Sequence, residues 1–249
     1  VTMVHNETFT GVMNPLAEIA EIVNEFEEVL LVVDSVSSFS AVPIPCDKLG
    51  IDVLLAGVQK AMALPPGLTV FVTSEAALAR AETTPDRGYY FDFIEFAKND
   101  AKDNTPSTPA ITLLQALKQK VDSIMEEGLE NRYARHAQNN ALVHAWVAAN
   151  GFEHFAPEGY RSKTLTAVAN NREIDVPAFV KAVRQKHNIL INGGYGKIKG
   201  ETFRISNMGN ETVETMGEVL AALDDEEGDL LDILDATAAG GGAGGGGGG

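Results

Sequence analysis

The sequence predicts an α/β fold, with a mostly parallel sheet in a large domain and a small α+β domain after it. Three observations predict it. Largely apolar runs occur at residues 29–33, 51–56 and 68–72, the second containing Asp52 and the third Thr69; a marked helix precedes the first run, and long helical periodicity begins after Pro109. Nearly continuous apolar runs, as opposed to alternating ones, are typical of strands buried on both faces, as parallel strands are.

A crossover helix is predicted ahead of the first strand. Asn14 can cap it, and Pro15 suits its first turn, where no amide donor is needed. Four apolar residues then fall on one helical face: Leu16, Ile19, Val23 and Phe26. After the second strand, Pro65 and Pro66 predict a fixed loop, because proline can continue neither a helix nor a strand ladder.

The second half of the chain begins with two long helical patterns. One follows Pro109, and the other runs from Gly128 to a stop at Asn150 and Gly151. The remaining predicted elements are strands at 164–168, 189–191 and 203–205 and helices at 177–185 and 211–223.

These patterns predict a division of the chain into three parts. Residues 1–125 form part of the large domain, and residues 126–235 form the connecting helix and the small C-terminal domain. Residues 236–249 are almost all Gly and Ala, so they cannot bury apolar surface and are expected to be disordered.

The charge balance restricts the partners of this protein. Among its 249 residues, 35 acidic and 19 basic side chains give a formal charge of -16. Nucleic acid and anionic membranes are disfavoured because their phosphates would be repelled, and a salt-adapted source is indicated. No apolar stretch approaches the roughly 18 residues of a membrane span, and we find no signal-peptide pattern, so we expect a cytoplasmic location.

Cys46 is the single cysteine. One cysteine excludes an internal disulfide and a cysteine-based zinc cluster, and we predict no metal site.

Asp34 and Lys60 are the residues whose positions point to chemistry. Each follows the carboxyl end of a predicted buried strand, which is where open α/β sheets place their ligands. Pyridoxal phosphate (PLP) needs an amine that forms a Schiff base and an acidic partner for its pyridine nitrogen. Spacing alone is weak support, because a strand-end Asp and a loop Lys are common.

Five further stretches strengthen this interpretation. They read HNETFTGV at 5–12, VDSVSSF at 33–39, GVQKA followed by LPPGL within 57–68, NTPSTP at 104–109 and GETFRISNMG at 200–209. In order and spacing they resemble the motifs of class V aminotransferases of the alanine:glyoxylate and serine:pyruvate type. The resemblance reaches to about residue 223 and implies the PLP-transferase fold type I.

The resemblance implies a role for each matching position. Lys60 would form the Schiff base and carry the proton between the substrate α carbon and the cofactor. Asp34 would pair with the pyridinium nitrogen, and Val36 would pack on the ring face. Thr8 and Gln59 would hydrogen-bond the ring oxygen or the phosphate edge.

Substrate and partner-subunit contacts are implied in the same way. Arg204 would clamp the substrate carboxylate, which suits a planar, two-pronged donor. The family resemblance also implies a homodimer with shared active sites, in which Thr105 or Thr108 would reach the phosphate of the neighbouring subunit. Counting from Leu117 without gaps favours Thr108, whereas the Asn-Thr-Pro sequence favours Thr105.

The implied function is a PLP-dependent transaminase with ping-pong kinetics that moves an amino group from alanine or serine to glyoxylate or pyruvate. Alternatives on the same scaffold are an aminoethylphosphonate or phosphoserine transaminase and a cysteine desulfurase-like lyase. Desulfurases need a cysteine late in the chain, whereas Cys46 lies early. A non-catalytic truncated fragment is a further alternative, against which Lys60, Asp34 and Arg204 weigh.

The sequence departs from the family pattern at three places. Phe9 stands where a small hydroxyl residue is common, and Val58 stands where Ser or Thr usually precedes Gln-Lys. The chain also opens immediately before the motif at 5–12, whereas family members carry a long further segment ahead of it. We therefore expect an N-terminally truncated chain, incomplete in its large domain, that binds PLP weakly or not at all.

Overall fold

The computed structural model describes residues 1–240, and for residues 227 and 229–240 it describes the backbone path alone. The tail predicted at 236–249 lies mostly outside the described residues. Its first five residues, 236–240, belong to the last helix, which spans Val213–Gly240.

The first half of the chain builds a four-stranded sheet of order β1-β4-β5-β6. The strands β1, β4 and β5 run parallel to one another, and β6 pairs antiparallel with β5. The mostly parallel α/β sheet predicted from the sequence is therefore confirmed. The strands are β1 (Thr2–Val4), β4 (Val32–Asp34), β5 (Val53–Gly57) and β6 (Thr69–Thr73), with a β2–β3 hairpin (Asn6–Glu7, Val12–Met13) after β1.

The prediction that the third apolar run is buried on both faces is wrong. This run became β6, which lies at the edge of the described sheet, and Val72 is 55% exposed. An edge strand has one neighbour instead of two, so its side chains lose part of the cover that a central strand receives. The apolar run therefore identified the strand but not its place in the sheet.

The crossover helix α1 (Leu16–Val23) is shorter than its apolar pattern suggested. Asn14 does not cap it, because its amide donates instead to the Val4 carbonyl at 2.7 Å and so ties the hairpin to β1. Phe26 lies beyond the helix end and is 57% exposed. Leu16 and Val23 do pack in the core beside Leu31, as predicted.

The other helices of the first half are α2 (Glu75–Thr83) and α3 (Phe93–Asp100), which the sequence analysis did not identify. Two long helices follow, α4 (Ile111–Glu127) and α5 (Leu129–Ala149). Helix α5 stops where predicted, with Asn150 as its C-cap. Gly151 follows at φ 67°, a backbone conformation that is strained for residues with a side chain and that favours glycine.

A second, antiparallel sheet of order β7-β8-β10-β9 follows α5. Its core joins the sheet to α5, α6 and α7 through aromatic side chains, including Trp146, Phe152, Phe179 and Phe203. The elements are β7 (Glu153–His154), β8 (Leu165–Ala169), α6 (Val176–His187), β9 (Asn192–Gly193), β10 (Thr202–Ser206) and α7 (Val213–Gly240).

Within residues 1–240, we find no helix that combines the length and the apolar character needed to cross a bilayer.

Candidate active site

The candidate site lies where the three parallel strands of the first sheet end. Strand β1 leads into His5 and the β2–β3 hairpin, β4 ends at Asp34, and β5 leads to Lys60. Parallel strands end at one edge of a sheet, so residues from three separate motifs meet there.

Lys60 is held by two hydroxyl groups. Its Nζ donates to Thr8 Oγ1 at 2.5 Å and to Ser37 Oγ at 2.7 Å, and these two hydroxyls lie 2.5 Å apart. Thr8 was predicted as a site residue from the motif at 5–12, whereas Ser37 was not predicted. The signal available for Ser37 was its place three residues after Asp34, inside the same motif.

The pKa of Lys60 is lowered from its ordinary value of 10.5, mainly because the amine is partly buried. The charges of Asp34 and Glu7 oppose this shift, while that of Arg204 adds to it. The carboxylate and guanidinium that the sequence analysis singled out thus act electrostatically on the lysine amine, even though they come from distant motifs.

Asp34 is fixed through its backbone and its carboxylate. Its carbonyl accepts from the His5 amide at 2.8 Å, and Oδ1 accepts from the Val36 amide at 2.9 Å. The next residue, Ser35, anchors to the Leu55 carbonyl through both its amide and its hydroxyl, at 2.9 and 2.8 Å. The side chain at the end of β4 therefore has little freedom to turn away.

His5 is buried, and its Nδ1 lies 2.9 Å from Ser38 Oγ. Burial lowers its pKa from 6.5 to about 4, so the ring is neutral at neutral pH. This neutral ring packs under the segment that carries Ser37 and supports it.

Arg204 reaches the site from β10 of the second sheet. Its Nη1 and Nη2 lie 3.4 Å from the carbonyls of Thr8 and Gly193, both long and both to neutral groups. Its Nε is buried and has no hydrogen-bond partner among the described residues. A guanidinium has five N–H donors, so most of this group's capacity remains for an anionic ligand.

Asn6 and Thr164 connect the two sheets beneath the site. The Asn6 amide donates to the Ser37 carbonyl at 2.9 Å and to Thr164 Oγ1 at 2.7 Å, and that hydroxyl donates to the same Ser37 carbonyl at 2.7 Å. All three residues are buried. Ser37 is consequently positioned by residues from both halves of the chain.

The remaining predicted residues lie at the margin of this cluster. Gln59 is exposed, and its side chain folds over Gly57, where an added Cβ would lie 3.0 Å from its Nε2. Thr105 and Thr108 are both exposed, and the Thr105 hydroxyl donates to the Ser107 carbonyl at 2.7 Å. Among the described residues, no hydrogen bond joins either threonine to Lys60.

This donor set fits PLP chemistry. The cofactor requires an amine of lowered pKa, a carboxylate near it and a cation for the substrate; Lys60 and Asp34 supply the first two at the edge of the first sheet, and Arg204 supplies the third from β10. The buried, unpartnered Nε of Arg204 is the atom that most needs a ligand. The fold is the PLP-transferase fold type I, and the residues gathered here could hold that cofactor.

Comparison with known proteins places the chain within one branch of that class. It matches the family described as Aminotransferase class-V over residues 1–207, and it belongs to that family.

Three similar proteins illustrate the match. An uncharacterized aminotransferase of Methanocaldococcus jannaschii is 38% identical over 90% of this chain and 59% of its own length. The serine–glyoxylate aminotransferase of Arabidopsis thaliana is 37% identical over 84% of this chain and 53% of its own length. The crystal structure of ureidoglycine-glyoxylate aminotransferase from Bacillus subtilis superimposes with a TM-score of 0.86 at 29% identity, over 92% of this chain and 60% of that one. The chain thus spans little more than half the length of these relatives.

Proposed function

We propose that the protein is a PLP-dependent transaminase that moves an amino group from alanine or serine to glyoxylate or pyruvate. One observation carries the proposal: the Lys60 amine, with its lowered pKa, lies between the hydroxyls of Thr8 and Ser37, within electrostatic reach of Asp34 and Arg204. The similarity to a serine–glyoxylate aminotransferase supports the choice of substrates.

Lys60 has two tasks in this mechanism. It holds the cofactor before substrate arrives, and it then moves the proton that leaves the substrate α carbon. When bound, PLP supplies an electron-withdrawing ring that stabilises negative charge at that carbon. Burial lowers the pKa of Lys60, so a larger fraction of the amine is neutral and able to accept the proton near neutral pH.

The residues around Lys60 fix the ligands. Asp34 would keep the pyridine nitrogen protonated, and the half-buried side chain of Val36 would cover one ring face. Thr8 and Gln59 would hydrogen-bond the ring oxygen or the phosphate edge. Arg204 would hold the substrate carboxylate with donors that its present neutral partners leave free.

We further propose the assembly and setting that the family resemblance implied. The protein would act as a homodimer with shared active sites, and the exposed Thr105 or Thr108 would serve the phosphate of the neighbouring subunit. The division into a large domain at 1–125 and a small domain at 126–235, the cytoplasmic location and the salt-adapted source belong to the same proposal. The formal charge of -16 supports the last of these.

Cys46 supports the transaminase over a desulfurase-like lyase. Its thiol lies 3.6 Å from the Ile51 carbonyl and packs against the core of the first sheet. Burial and the charges of Asp47 and Asp52 raise its pKa. A thiol with a raised pKa is a poor nucleophile, because the thiolate is the reactive form.

The test combines cofactor attachment with amino transfer. The holoenzyme, with any segment that the protein carries beyond this chain, is reduced with borohydride, and the modified peptide is identified by mass spectrometry; transfer from alanine or serine to glyoxylate is assayed in parallel. We expect the label on Lys60, and we expect Lys60→Ala to lose both the label and at least about a hundredfold in kcat, the lower range for loss of a positioned base.

Lys118→Ala is the matched control, because that lysine side chain is 77% exposed on α4. This variant should keep both label and activity. Attachment to another lysine, or no transfer from either amino acid, would overturn the proposal.

A further inference from the structure

Two aromatic rings lie beside Arg204, and the predicted roles above use neither of them. The Phe9 and Tyr195 ring centroids are 4.1 Å apart, with planes inclined by 45°. The Arg204 guanidinium carbon lies 5.4 Å from the Tyr195 ring centroid, within the range of a cation–π contact. Phe9 is one of the positions where this chain departs from the small hydroxyl residue common in the family.

Phe9 is next in the chain to the residue that contacts both ends of the site. Phe9 directly follows Thr8, whose hydroxyl accepts from Lys60 and whose carbonyl accepts from Arg204. The Phe9 amide donates to Glu7 Oε1 at 2.8 Å, which fixes the turn. The Thr8–Phe9 backbone therefore spans the distance from the amine to the guanidinium.

Tyr195 is fixed from the other side. It belongs to the tight turn after β9. The carbonyl of Gly193, the last residue of β9, accepts a hydrogen bond from Arg204. At Gly194 an added Cβ would collide with the Ile198 carbonyl oxygen and with Thr202 Oγ1, so this turn is closely packed. The neighbouring Tyr195 is 58% exposed, and its ring contacts both Phe9 and the Arg204 guanidinium.

We propose that the Phe9–Tyr195 pair is the wall that contacts the side chain of the amino donor, and that it selects donors with a short apolar side chain, the alanine class, over hydroxyl-bearing donors such as serine. The inference rests on the proposed function. In this arrangement the side chain of an amino acid whose carboxylate lies on Arg204 contacts the Phe9 ring, which follows Thr8 in the chain and packs on Tyr195 beside the guanidinium.

The selectivity follows from what an aromatic ring can offer. A methyl group gains contact with the carbon surface of Phe9. A hydroxyl group loses its water there and meets no donor or acceptor on the ring, so its hydrogen bonds go unmade. A hydroxyl residue at position 9, as is common in the family, could restore such a partner.

The test measures binding without turnover. Propionate and 3-hydroxypropionate are unreactive carboxylates that differ by one hydroxyl, and their dissociation constants for the holoenzyme are measured by calorimetry. We expect propionate to bind more tightly by roughly tenfold, the lower range for such pocket discrimination. Phe9→Ser should reduce the ratio to near one, while Phe9→Leu, which keeps an apolar side chain, should retain most of it.

The outcomes separate this inference from the proposed function. If both carboxylates bind with equal constants, and Arg204→Gln abolishes binding, the aromatic wall is wrong and the carboxylate clamp stands. If neither binds, the clamp fails and the inference fails with it. Far-ultraviolet circular dichroism confirms that each variant is folded, and an unchanged ratio in folded Phe9→Ser would also overturn the inference.

Discussion

At the residue scale, Lys60 lies under the influence of groups with opposite effects. Partial burial and the charge of Arg204 lower its pKa, while the charges of Asp34 and Glu7 raise it. Its direct hydrogen-bond partners, by contrast, are the neutral hydroxyls of Thr8 and Ser37. Single substitutions among the charged neighbours should therefore move the proton affinity of the amine without removing its supports.

We predict that Asp34→Asn lowers the pKa of Lys60 further, because the Asp34 carboxylate raises this pKa more than Glu7 does and its charge is lost. Arg204→Gln should raise it, because a repelling cation is lost. The pKa is read from the pH dependence of Lys60 acetylation in cofactor-free protein, followed by mass spectrometry. Acetylation of the exposed Lys118 in the same samples is the internal reference, and midpoints that do not move in opposite directions would contradict the assignment.

At the element scale, the junction of α4 and α5 forms a charged brace behind the site. Glu127 ends α4 and pairs with Arg132 at 3.1 Å and with Arg135 at 2.7 Å, both on α5. Arg132 is 1% exposed and donates to the Ser40 and Ala61 carbonyls at 2.9 and 2.5 Å. It therefore holds the backbone just after Ser37 and just after Lys60.

The partner arginine braces a third segment. Arg135 donates to the carbonyls of Gly209 and Glu211 at 3.2 and 2.6 Å, just beyond β10. Gly209 has φ 83°, and an added Cβ there would lie 3.0 Å from Ala63 Cβ. The loop after β10 and the loop after Lys60 are therefore in close contact. The sequence alone does not reveal this brace, because an arginine in a helical pattern gives no sign of which loops it will contact.

We predict that Arg132→Met destabilises the protein by at least about 2 kcal/mol, because the Ser40 and Ala61 carbonyls lose a charged donor at about 1 to 3 kcal/mol each, while Glu127 keeps its ion pair with Arg135. Lys118→Met is the matched control, since its ion pair with Asp122 on α4 is exposed and should contribute less than about 1 kcal/mol. Denaturant unfolding gives both values. Equal losses in the two variants would show that the brace adds no stability.

At the scale of the whole molecule, buried histidines link stability to pH. His5 lies after β1 and His136 lies in α5, and both are buried. Burial lowers the pKa of each from 6.5 to about 4. Above pH 6.5 both rings are neutral in the folded and the unfolded chain, so their titration then has no effect on stability.

Between pH 6.5 and 4 the unfolded chain takes up protons that the folded chain excludes, so stability falls as the pH falls. We predict a loss of roughly 2 kcal/mol for each such histidine between pH 7 and pH 5. The free energy of unfolding is measured at both pH values for the wild type and for His136→Asn. The variant should show a smaller pH difference, whatever its stability at pH 7, and an unchanged difference would contradict the prediction.

The sequence predicted the elements that local pattern controls. Apolar runs located β4, β5 and β6, and capping and glycine signals located the end of α5. It did not predict β1, which is only three residues long, or the edge position of β6. A short strand carries too few residues for a periodic signal, and sheet order depends on which strands pair, which hydropathy does not record.

By itself, the sequence identified the family through its motifs. It also predicted Asp34 and Lys60 as site residues, because parallel strands present the groups that follow their carboxyl ends at one edge of the sheet. Only the tertiary structure decided that Ser37 completes the support of Lys60, that Phe9 meets Tyr195, and that Arg204 contacts Thr8 across 196 positions of chain. These contacts arise where the two sheets meet. Their geometry is set by packing between distant segments, and no local periodicity encodes it.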